Sequence, residues 1–260
     1  HMGESRSRRS AEVDALKLGI ELGMTHIDTA EMYGRGAAEE IVGDAIRGWR
    51  RESLFLVSKV LPANATYKGT LRAAAASLRR LGTDYLDLYL LHWREELPLS
   101  DTLRALEDLT SDGTIRALGV SNFDVDDLEE ASTALRRFPL ACNQVLYNLA
   151  DRGIERDLLL WCRQHDVAVV GYTPMGGLPS GGRKARALQE IATRHTASVA
   201  QVVLAFLTRD DGTFAIPKAS DPQHVRDNAA AGDLALDADD IALIDSHFPA
   251  PPHRVQLGIG

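Results

Sequence analysis

Four short apolar runs in this chain stop abruptly on polar side chains that can take part in chemistry. The segments between the runs are longer, and their apolar residues recur at helical spacing, so strands and helices alternate. The polar residues at the four strand ends are Asp28, Lys59, His92 and Ser121. Strands that carry functional groups at their carboxyl ends and are joined by helices are typical of one face of a (β/α) barrel, which the pattern predicts.

The same reading covers the whole chain and predicts seven strands, one fewer than a closed barrel needs. A helix precedes the first predicted strand, so the missing strand is the first. Either the sequence starts after that strand, or the opening residues fill its role differently. The predicted strands are 25–28, 54–59, 85–92, 117–121, 142–147, 167–172 and 214–217. The predicted helices are 10–22, 37–49, 67–81, 100–111, 124–138, 154–165, 185–195, 198–208, 222–231 and 237–247. We therefore predict an α/β fold, a TIM (β/α)8 barrel whose first strand is missing from this chain.

Length and composition narrow the class of protein. The 260 residues are close to the about 250 of one TIM barrel, so we expect a single domain over 1–260. The net charge of -8 disfavours nucleic acid and anionic membranes as partners. No apolar run approaches the about 20 residues of a membrane span. The first ten residues are polar and basic, which predicts no secretory signal and a cytoplasmic protein.

The two cysteines point away from metal binding and from disulfide bonding. Cys142 and Cys162 both lie in apolar segments. Neither has neighbours at metal-ligand spacing, so we expect no metal. Free, buried thiols in a reducing compartment are the expected state.

One glycine-rich stretch resembles the start of a dinucleotide fingerprint. Gly34 and Gly36 have the spacing of its first two glycines, but Glu39 stands at the third position. The third glycine serves close helix–strand packing, and no acidic partner stands out downstream. We interpret the stretch as a loop that enters the helix over 37–49.

The strand-end residues leave more than one chemistry open. A lysine at such a position can form a Schiff base with a carbonyl substrate, or it can tune a neighbouring acid. Asp28 can pair with Lys59, and Tyr33 follows five residues after Asp28. An ammonium lowers the pKa of a nearby tyrosine, which favours a general-acid role, and His92 can polarise a carbonyl. A purely structural Asp–Lys pair is the alternative.

Longer stretches around these residues resemble motifs of the aldo-keto reductase superfamily, in that family's order and spacing over nearly the whole chain. The stretches are Asp28-Thr29-Ala30-Glu31-Met32-Tyr33-Gly34, Ser58-Lys59, Leu91-His92, Gly119-Val120-Ser121-Asn122-Phe123, Asn143-Gln144 and Ile216-Pro217-Lys218. Two details are similar to bacterial members that reduce methylglyoxal and other small aldehydes. They are Leu91-His92-Trp93 and Ile216-Pro217-Lys218-Ala219-Ser220.

The resemblance implies a hydride transfer from NADPH, bound without a Rossmann domain, to a small aldehyde or ketone. Tyr33 is then the general acid that protonates the carbonyl oxygen. Lys59, held by Asp28, lowers the pKa of Tyr33. His92 positions the carbonyl by a hydrogen bond.

The resemblance also implies where NADPH binds. Ser121, Asn122 and Gln144 hold the nicotinamide carboxamide, because each has a donor or acceptor that suits an amide. Tyr172 stacks on the nicotinamide ring, with core packing as the alternative role.

Further along the chain, Lys218 meets the 2′-phosphate, Ser220 contributes nearby, and Asn228 lies at the adenine. Many family members carry an arginine where this chain has His224. A phosphate prefers the guanidinium fork, so NADPH is favoured through Lys218 and NADH is the alternative cofactor.

The substrate pocket is expected to be open and apolar. Met32 and Trp93 are its expected walls, and the short carboxyl-terminal tail favours small or varied aldehydes. The expected partner is thus a small molecule, and the chain is expected to be a monomer. Two other functions stay open: a Schiff-base lyase that uses Lys59, and a weakly active NADPH-binding scaffold or sensor, for which the missing strand is a mild argument.

Overall fold

The computed structural model describes residues 3, 5–95 and 98–259. They fall into two compact units, His1–Cys142 and Asn143–Gly260. Each unit alternates strands with helices, as the apolar pattern predicts. The single domain expected over 1–260 stays a prediction.

The first unit begins with a helix and then alternates strand and helix four times. Its helices are α1 (Arg9–Glu21), α2 (Ala37–Ile46), α3 (Tyr67–Leu81), α4 (Leu99–Ser111) and α5 (Val125–Ala134). Its strands are β1 (His26–Asp28), β2 (Phe55–Val60), β3 (Leu86–Leu91) and β4 (Ile115–Ser121). Short 3-10 turns lie between several of these elements.

The four strands of the first unit are parallel and lie side by side in chain order. Asp28 is paired with Val57, Val60 with Leu91, and Leu91 with Val120. Parallel strands in this register bring their carboxyl ends to one edge of the sheet. The polar residues that follow the strands therefore meet at that edge.

Burial on both faces explains the strands, and capping explains the helix ends. All six residues of β3 are buried, which matches the near-continuous apolar runs of parallel sheets. At the start of α3, the Thr66 hydroxyl accepts a hydrogen bond from the backbone N–H of Gly69. Gly82 ends that helix in the left-handed conformation, at φ +66°, which glycine adopts without strain. These local signals are why α3 has the predicted bounds.

The second unit contains three strands and five helices among its described residues. Its strands are β5 (Cys142–Leu146), β6 (Ala168–Tyr172) and β7 (Thr213–Ala215). Its helices are α6 (Leu158–Gln164), α7 (Gly182–Arg194), α8 (Val199–Leu207), α9 (Pro222–Ala230) and α10 (Ala238–His247). β6 and β7 pair in parallel. A reciprocal capping box at Ser198 and Gln201 starts α8, and one at Asp237 and Asp240 starts α10.

The prediction for α5 was wrong at its carboxyl end. The helix was predicted to reach residue 138, but it ends at Ala134, and Leu135 is extended. The carboxylate of Glu107 on α4 accepts hydrogen bonds from the backbone N–H groups of Arg136 and Arg137. These contacts remove the two N–H groups from any further helical turn. A tertiary contact therefore overrides the local helical pattern.

Other boundaries differ from the prediction too: α2 ends at Ile46 instead of residue 49, and α7 begins at Gly182 instead of residue 185. The helix expected over 154–165 is a 3-10 turn at Gly153–Glu155 followed by α6, because Asp157 between them has non-helical angles. β7 ends at Ala215, so Lys218 lies three residues beyond the strand instead of directly after it.

The structure also tests two expectations from the sequence, that both thiols are free and buried and that the chain has no membrane span. Cys142 and Cys162 are free and buried, which confirms that prediction. Burial raises the pKa of the Cys162 thiol to about 12, so it stays protonated. No helix in the described part of the chain combines the length and the apolar character that crossing a membrane requires.

Candidate active site

A buried ion pair lies at the strand-end edge of the first unit. The side chain of Lys59, the fifth residue of β2, is 0% exposed. Its Nζ donates hydrogen bonds to Asp28 Oδ1 at 2.5 Å and to the backbone carbonyl of Thr29 at 2.9 Å. Both acceptors stand at the carboxyl end of β1, next to β2. Neighbouring strands thus bring the predicted Asp28–Lys59 pair together.

The electrostatics keep this lysine charged. Burial lowers the pKa of Lys59, but the carboxylate of Asp28 and the phenol of Tyr33 outweigh burial and raise the pKa above its ordinary value. A buried charge is stable only when it is paired and hydrogen-bonded. The site therefore holds a permanent ammonium whose position is set by fixed acceptors.

Tyr33 reaches the same ammonium from the connection between β1 and α2. It begins a tight turn, Tyr33–Gly36, in which Gly34 and Arg35 both have positive φ. The hydroxyl of Tyr33 lies 3.5 Å from Lys59 Nζ, and Nζ lies 5.0 Å from the centre of the Tyr33 ring. The phenol is partly exposed, unlike the lysine. The hydroxyl of a partly exposed side chain therefore lies next to a buried positive charge.

His92 forms the other side of the cluster. It follows β3, its backbone N–H donates to the carbonyl of Val60, and its ring meets the ring of Tyr33 edge to face at 5.6 Å. Burial, and secondarily the ammonium of Lys59, lowers the pKa of His92 to about 4, although Asp28 opposes the shift. The imidazole is therefore neutral at neutral pH. Within the described residues, its Nδ1 has no hydrogen-bond partner.

Two apolar side chains border the cluster on the solvent side. The ring of Trp93 lies 4.9 Å from that of His92, and its Nε1 donates to Glu95 at 3.1 Å. Met32, next to Tyr33, is 41% exposed. Both residues therefore lie beside the cluster, and the pocket-wall role stays a prediction for both.

The end of β4 adds a hydroxyl and an amide beside His92. Ser121 is buried, and Asn122 after it has φ +61°, a left-handed conformation that asparagine tolerates better than most residues. The Asn122 Nδ2 group donates to the His92 carbonyl at 3.1 Å and to Ser121 Oγ at 3.2 Å. The structure thus brings both predicted cofactor residues of this unit next to the cluster of Lys59, Tyr33 and His92.

The second unit carries the other predicted cofactor residues. Gln144 is buried in the middle of β5, and Tyr172 is the last residue of β6 and is partly exposed. Lys218 is exposed, and its Nζ donates to Ser220 Oγ at 2.9 Å. An ammonium and a hydroxyl therefore stand together at the surface.

The helix α9 begins directly after this pair. Asp221 caps it by accepting hydrogen bonds from the backbone N–H groups of Gln223 and His224. His224 and Asn228 are four residues apart on α9, so they lie on one face of the helix. His224 is exposed, and Asn228 is partly exposed.

One residue of this site was missed by sequence reasoning. The carboxylate of Glu31 accepts hydrogen bonds from the backbone N–H of Leu61 and from the side chain of Asn64. The available signal was its place between Asp28 and Tyr33, where a charged side chain interrupts a mainly apolar motif. Its partners are about thirty residues away, so only the folded chain identifies them.

Among the described residues, no group of three or more His, Cys, Asp or Glu side chains is arranged to hold a metal ion. The geometry of the cluster is instead that of a buried ammonium, a phenol and a neutral imidazole. Such a set can donate a proton to a carbonyl oxygen and stabilise the charge left behind.

Comparisons with known proteins show which family the chain resembles over its whole length. Methylglyoxal reductase YeaE of Escherichia coli (strain K12) is 48% identical over 260 residues, covering 99% of this chain and 91% of that protein. The aldo-keto reductase of Klebsiella pneumoniae in complex with NADPH superposes with a TM-score of 0.93 at 45% identity, covering 100% of this chain and 92% of the other. A second Klebsiella pneumoniae structure, with NADP and acetate, has a TM-score of 0.93 at 46% identity, covering 100% and 93%.

This similarity over the whole length confirms the predicted fold class, an α/β barrel, of which the described residues contain seven strands. It also confirms that the protein is an oxidoreductase of the kind that the motifs resemble. The model of the Aldo/keto reductase family matches residues 1–248. With that match and those relatives, the chain belongs to the aldo/keto reductase family.

Proposed function

We propose that this chain is an NADPH-dependent reductase of small aldehydes and ketones, with methylglyoxal as the first substrate to test. The observation that carries the proposal is the cluster of a buried Asp28–Lys59 pair, the Tyr33 hydroxyl and a neutral His92 at one strand edge. The name of the Escherichia coli relative supports the substrate, and the NADPH in the Klebsiella pneumoniae structure supports the cofactor.

The side chains present suit a nicotinamide cofactor. Ser121 and Asn122 offer a hydroxyl and an amide beside His92, and these groups match the donor and acceptor of a carboxamide. In the proposal, Gln144 completes this set and Tyr172 stacks on the nicotinamide ring. When bound, the cofactor supplies a hydride to the carbonyl carbon.

The exposed pair at the start of α9 suits a phosphate. The ammonium of Lys218 and the hydroxyl of Ser220, 2.9 Å apart, can both donate to a phosphate oxygen. His224 and Asn228 stand on one face of the helix that follows, where they can contact the adenosine part of the cofactor. NADPH is therefore the proposed cofactor, and NADH remains the alternative.

The residues of the cluster divide the proton chemistry among them. Neutral His92 donates a ring N–H to the carbonyl oxygen of the substrate and orients it. The hydroxyl of Tyr33 then gives its proton to that oxygen as the carbonyl becomes an alcohol. The ammonium of Lys59, 3.5 Å from the Tyr33 oxygen, stabilises the negative charge that Tyr33 acquires, while Asp28 holds Lys59 in place.

The state of Lys59 argues against a Schiff-base lyase. A lysine nucleophile must lose its proton, which requires a lowered pKa. The pKa of Lys59 is raised, and its Nζ already donates to Asp28 and Thr29. Borohydride should therefore trap no adduct between Lys59 and a carbonyl substrate.

The test is the loss of NADPH absorbance with methylglyoxal and several aromatic aldehydes, with NADH in parallel assays. Turnover with NADPH is the expected result. Tight NADPH binding by fluorescence quenching, without turnover of any aldehyde, would instead favour a binding scaffold or sensor. The cytoplasmic location and the monomeric state stay predictions. Cell fractionation tests the first and sedimentation tests the second.

A further inference from the structure

We infer that Glu31 is a positioning residue that sets the distance between Tyr33 and Lys59. It does so by holding the connection between β1 and α2 against the connection between β2 and α3. This inference rests on the proposed reductase function, which it deepens, because it concerns the same proton-donating pair.

Glu31 contacts the backbone of Lys59 and the chain just after it. Its backbone N–H donates to the carbonyl of Lys59 at 3.5 Å. Its carboxylate Oε1 accepts from the backbone N–H of Leu61 at 2.7 Å and from the side chain of Asn64 at 2.9 Å. We call these three contacts the Glu31 clamp. They join the segment that carries Tyr33 to β2 at Lys59 and to Leu61 and Asn64 in the connection that follows the strand.

The turn that carries Tyr33 needs such an attachment. Its internal hydrogen bonds run from the Tyr33 N–H to the Ala30 carbonyl and from the Arg35 N–H to the Met32 carbonyl, both at 3.1 Å. These bonds set the shape of the turn but do not attach it to β2. The Thr29 N–H, bonded to the Val57 carbonyl, holds only the start of the segment. The Glu31 clamp extends the attachment to within two residues of Tyr33.

The catalytic distance leaves little tolerance for movement. The Tyr33 hydroxyl lies 3.5 Å from Lys59 Nζ, at the outer limit of a hydrogen bond. A displacement of about 1 Å in a reacting geometry can cost about 100-fold in rate. Loss of the clamp should therefore lower kcat and leave NADPH binding in place.

Three variants separate geometry from charge. Glu31→Ala removes the acceptor oxygen, whereas Glu31→Gln keeps an amide oxygen with two lone pairs that can serve both Leu61 and Asn64. Asn64→Ala removes only the exposed partner of the clamp and is the matched control. For each variant we would measure kcat, the KM for the aldehyde and the Kd for NADPH.

We expect Glu31→Ala to lower kcat about 10-fold to 100-fold with an NADPH Kd close to that of the unchanged chain. Glu31→Gln should recover kcat to within about threefold, because the hydrogen bonds persist in weaker form. Asn64→Ala should stay within about twofold. Equal losses in Glu31→Ala and Glu31→Gln, or an NADPH Kd that rises in step with the loss of kcat, would overturn the inference.

A crystal structure of Glu31→Ala tests the inference even without turnover. The expected result is a longer distance between the Tyr33 hydroxyl and Lys59 Nζ, with the present distance retained in Glu31→Gln. An unchanged distance in Glu31→Ala contradicts the positioning role. Lack of turnover in the unchanged chain contradicts the proposed function instead, so the two failures are distinguishable.

Discussion

Two lysines of this chain lie near the carboxyl ends of β-strands, yet their surroundings are opposite. Lys59 is fully buried, and its Nζ lies 2.5 Å from Asp28 and 3.5 Å from the Tyr33 hydroxyl. Lys218 is exposed to solvent, and its Nζ donates to Ser220 at 2.9 Å.

The difference suits the two proposed roles, which are a part in the chemical step for Lys59 and phosphate binding for Lys218. Partners in a low-dielectric interior hold the buried ammonium in one place, where its charge acts strongly on a neighbour. Water and salt screen the exposed ammonium, but a phosphate can reach it directly. Changes around Lys59 should therefore affect the chemical step and stability, whereas changes around Lys218 should affect cofactor affinity.

The largest expected effect lies in the buried region. Tyr33→Phe removes the proposed proton donor and keeps the ring, so reduction should fall by about 10²-fold to 10⁴-fold. The Kd for NADPH, measured by fluorescence quenching, should change little because the exposed region is untouched. Turnover near that of the unchanged chain would remove Tyr33 from the general-acid role.

The next prediction compares the loss of stability when each of the two lysines is replaced by methionine. Lys59→Met takes the counter-charge from the buried Asp28 carboxylate and should cost about 3–5 kcal/mol of unfolding free energy as well as most activity. Lys218→Met changes an exposed side chain and should cost no more than about 0.5 kcal/mol. Chemical denaturation of both variants measures these values. Similar losses of stability in the two variants would break the distinction between the regions.

A third effect concerns pH, through His92. The folded state lowers the pKa of His92 from 6.5 to about 4, so the unfolded chain binds this proton first as the pH falls. The unfolding free energy should therefore decrease between about pH 6.5 and pH 4, by about 3 kcal/mol from this residue. His92→Asn should remove that part of the slope in denaturation at pH 7 and pH 4.5. Burial also lowers the pKa of His26, so part of the pH dependence should remain in the His92→Asn variant.

The smallest expected effect belongs to the exposed region. Lys218→Ala should raise the KM for NADPH about 10-fold, the magnitude of one charge-assisted contact, with little change in the KM for NADH. Added salt should reduce the rise in the NADPH KM that this substitution causes, because salt screens an exposed charge. An equal rise in both KM values would mean that the 2′-phosphate binds elsewhere.

Most of the strand-end cluster was predictable from local sequence. Each of the first four apolar runs ends within one residue of the place where the structure ends a strand, and hydrogen-bond register then places those ends at one edge. Asp28, Lys59 and His92 therefore come together as expected. The signals that set the ends of α3 were equally local, because Thr66 caps its start and Gly82 ends it. The roles assigned to these residues stay predictions until the variants are measured.

The amino-acid order by itself determined which segments form strands and helices and which polar groups lie at the strand ends, because apolar periodicity and capping act over a few residues. Only the tertiary structure decided that α5 ends at Ala134, that Glu31 reaches Leu61, and that His92 is neutral. The first two depend on partners about thirty residues away in sequence. The third depends on burial, which exists only once the chain has packed.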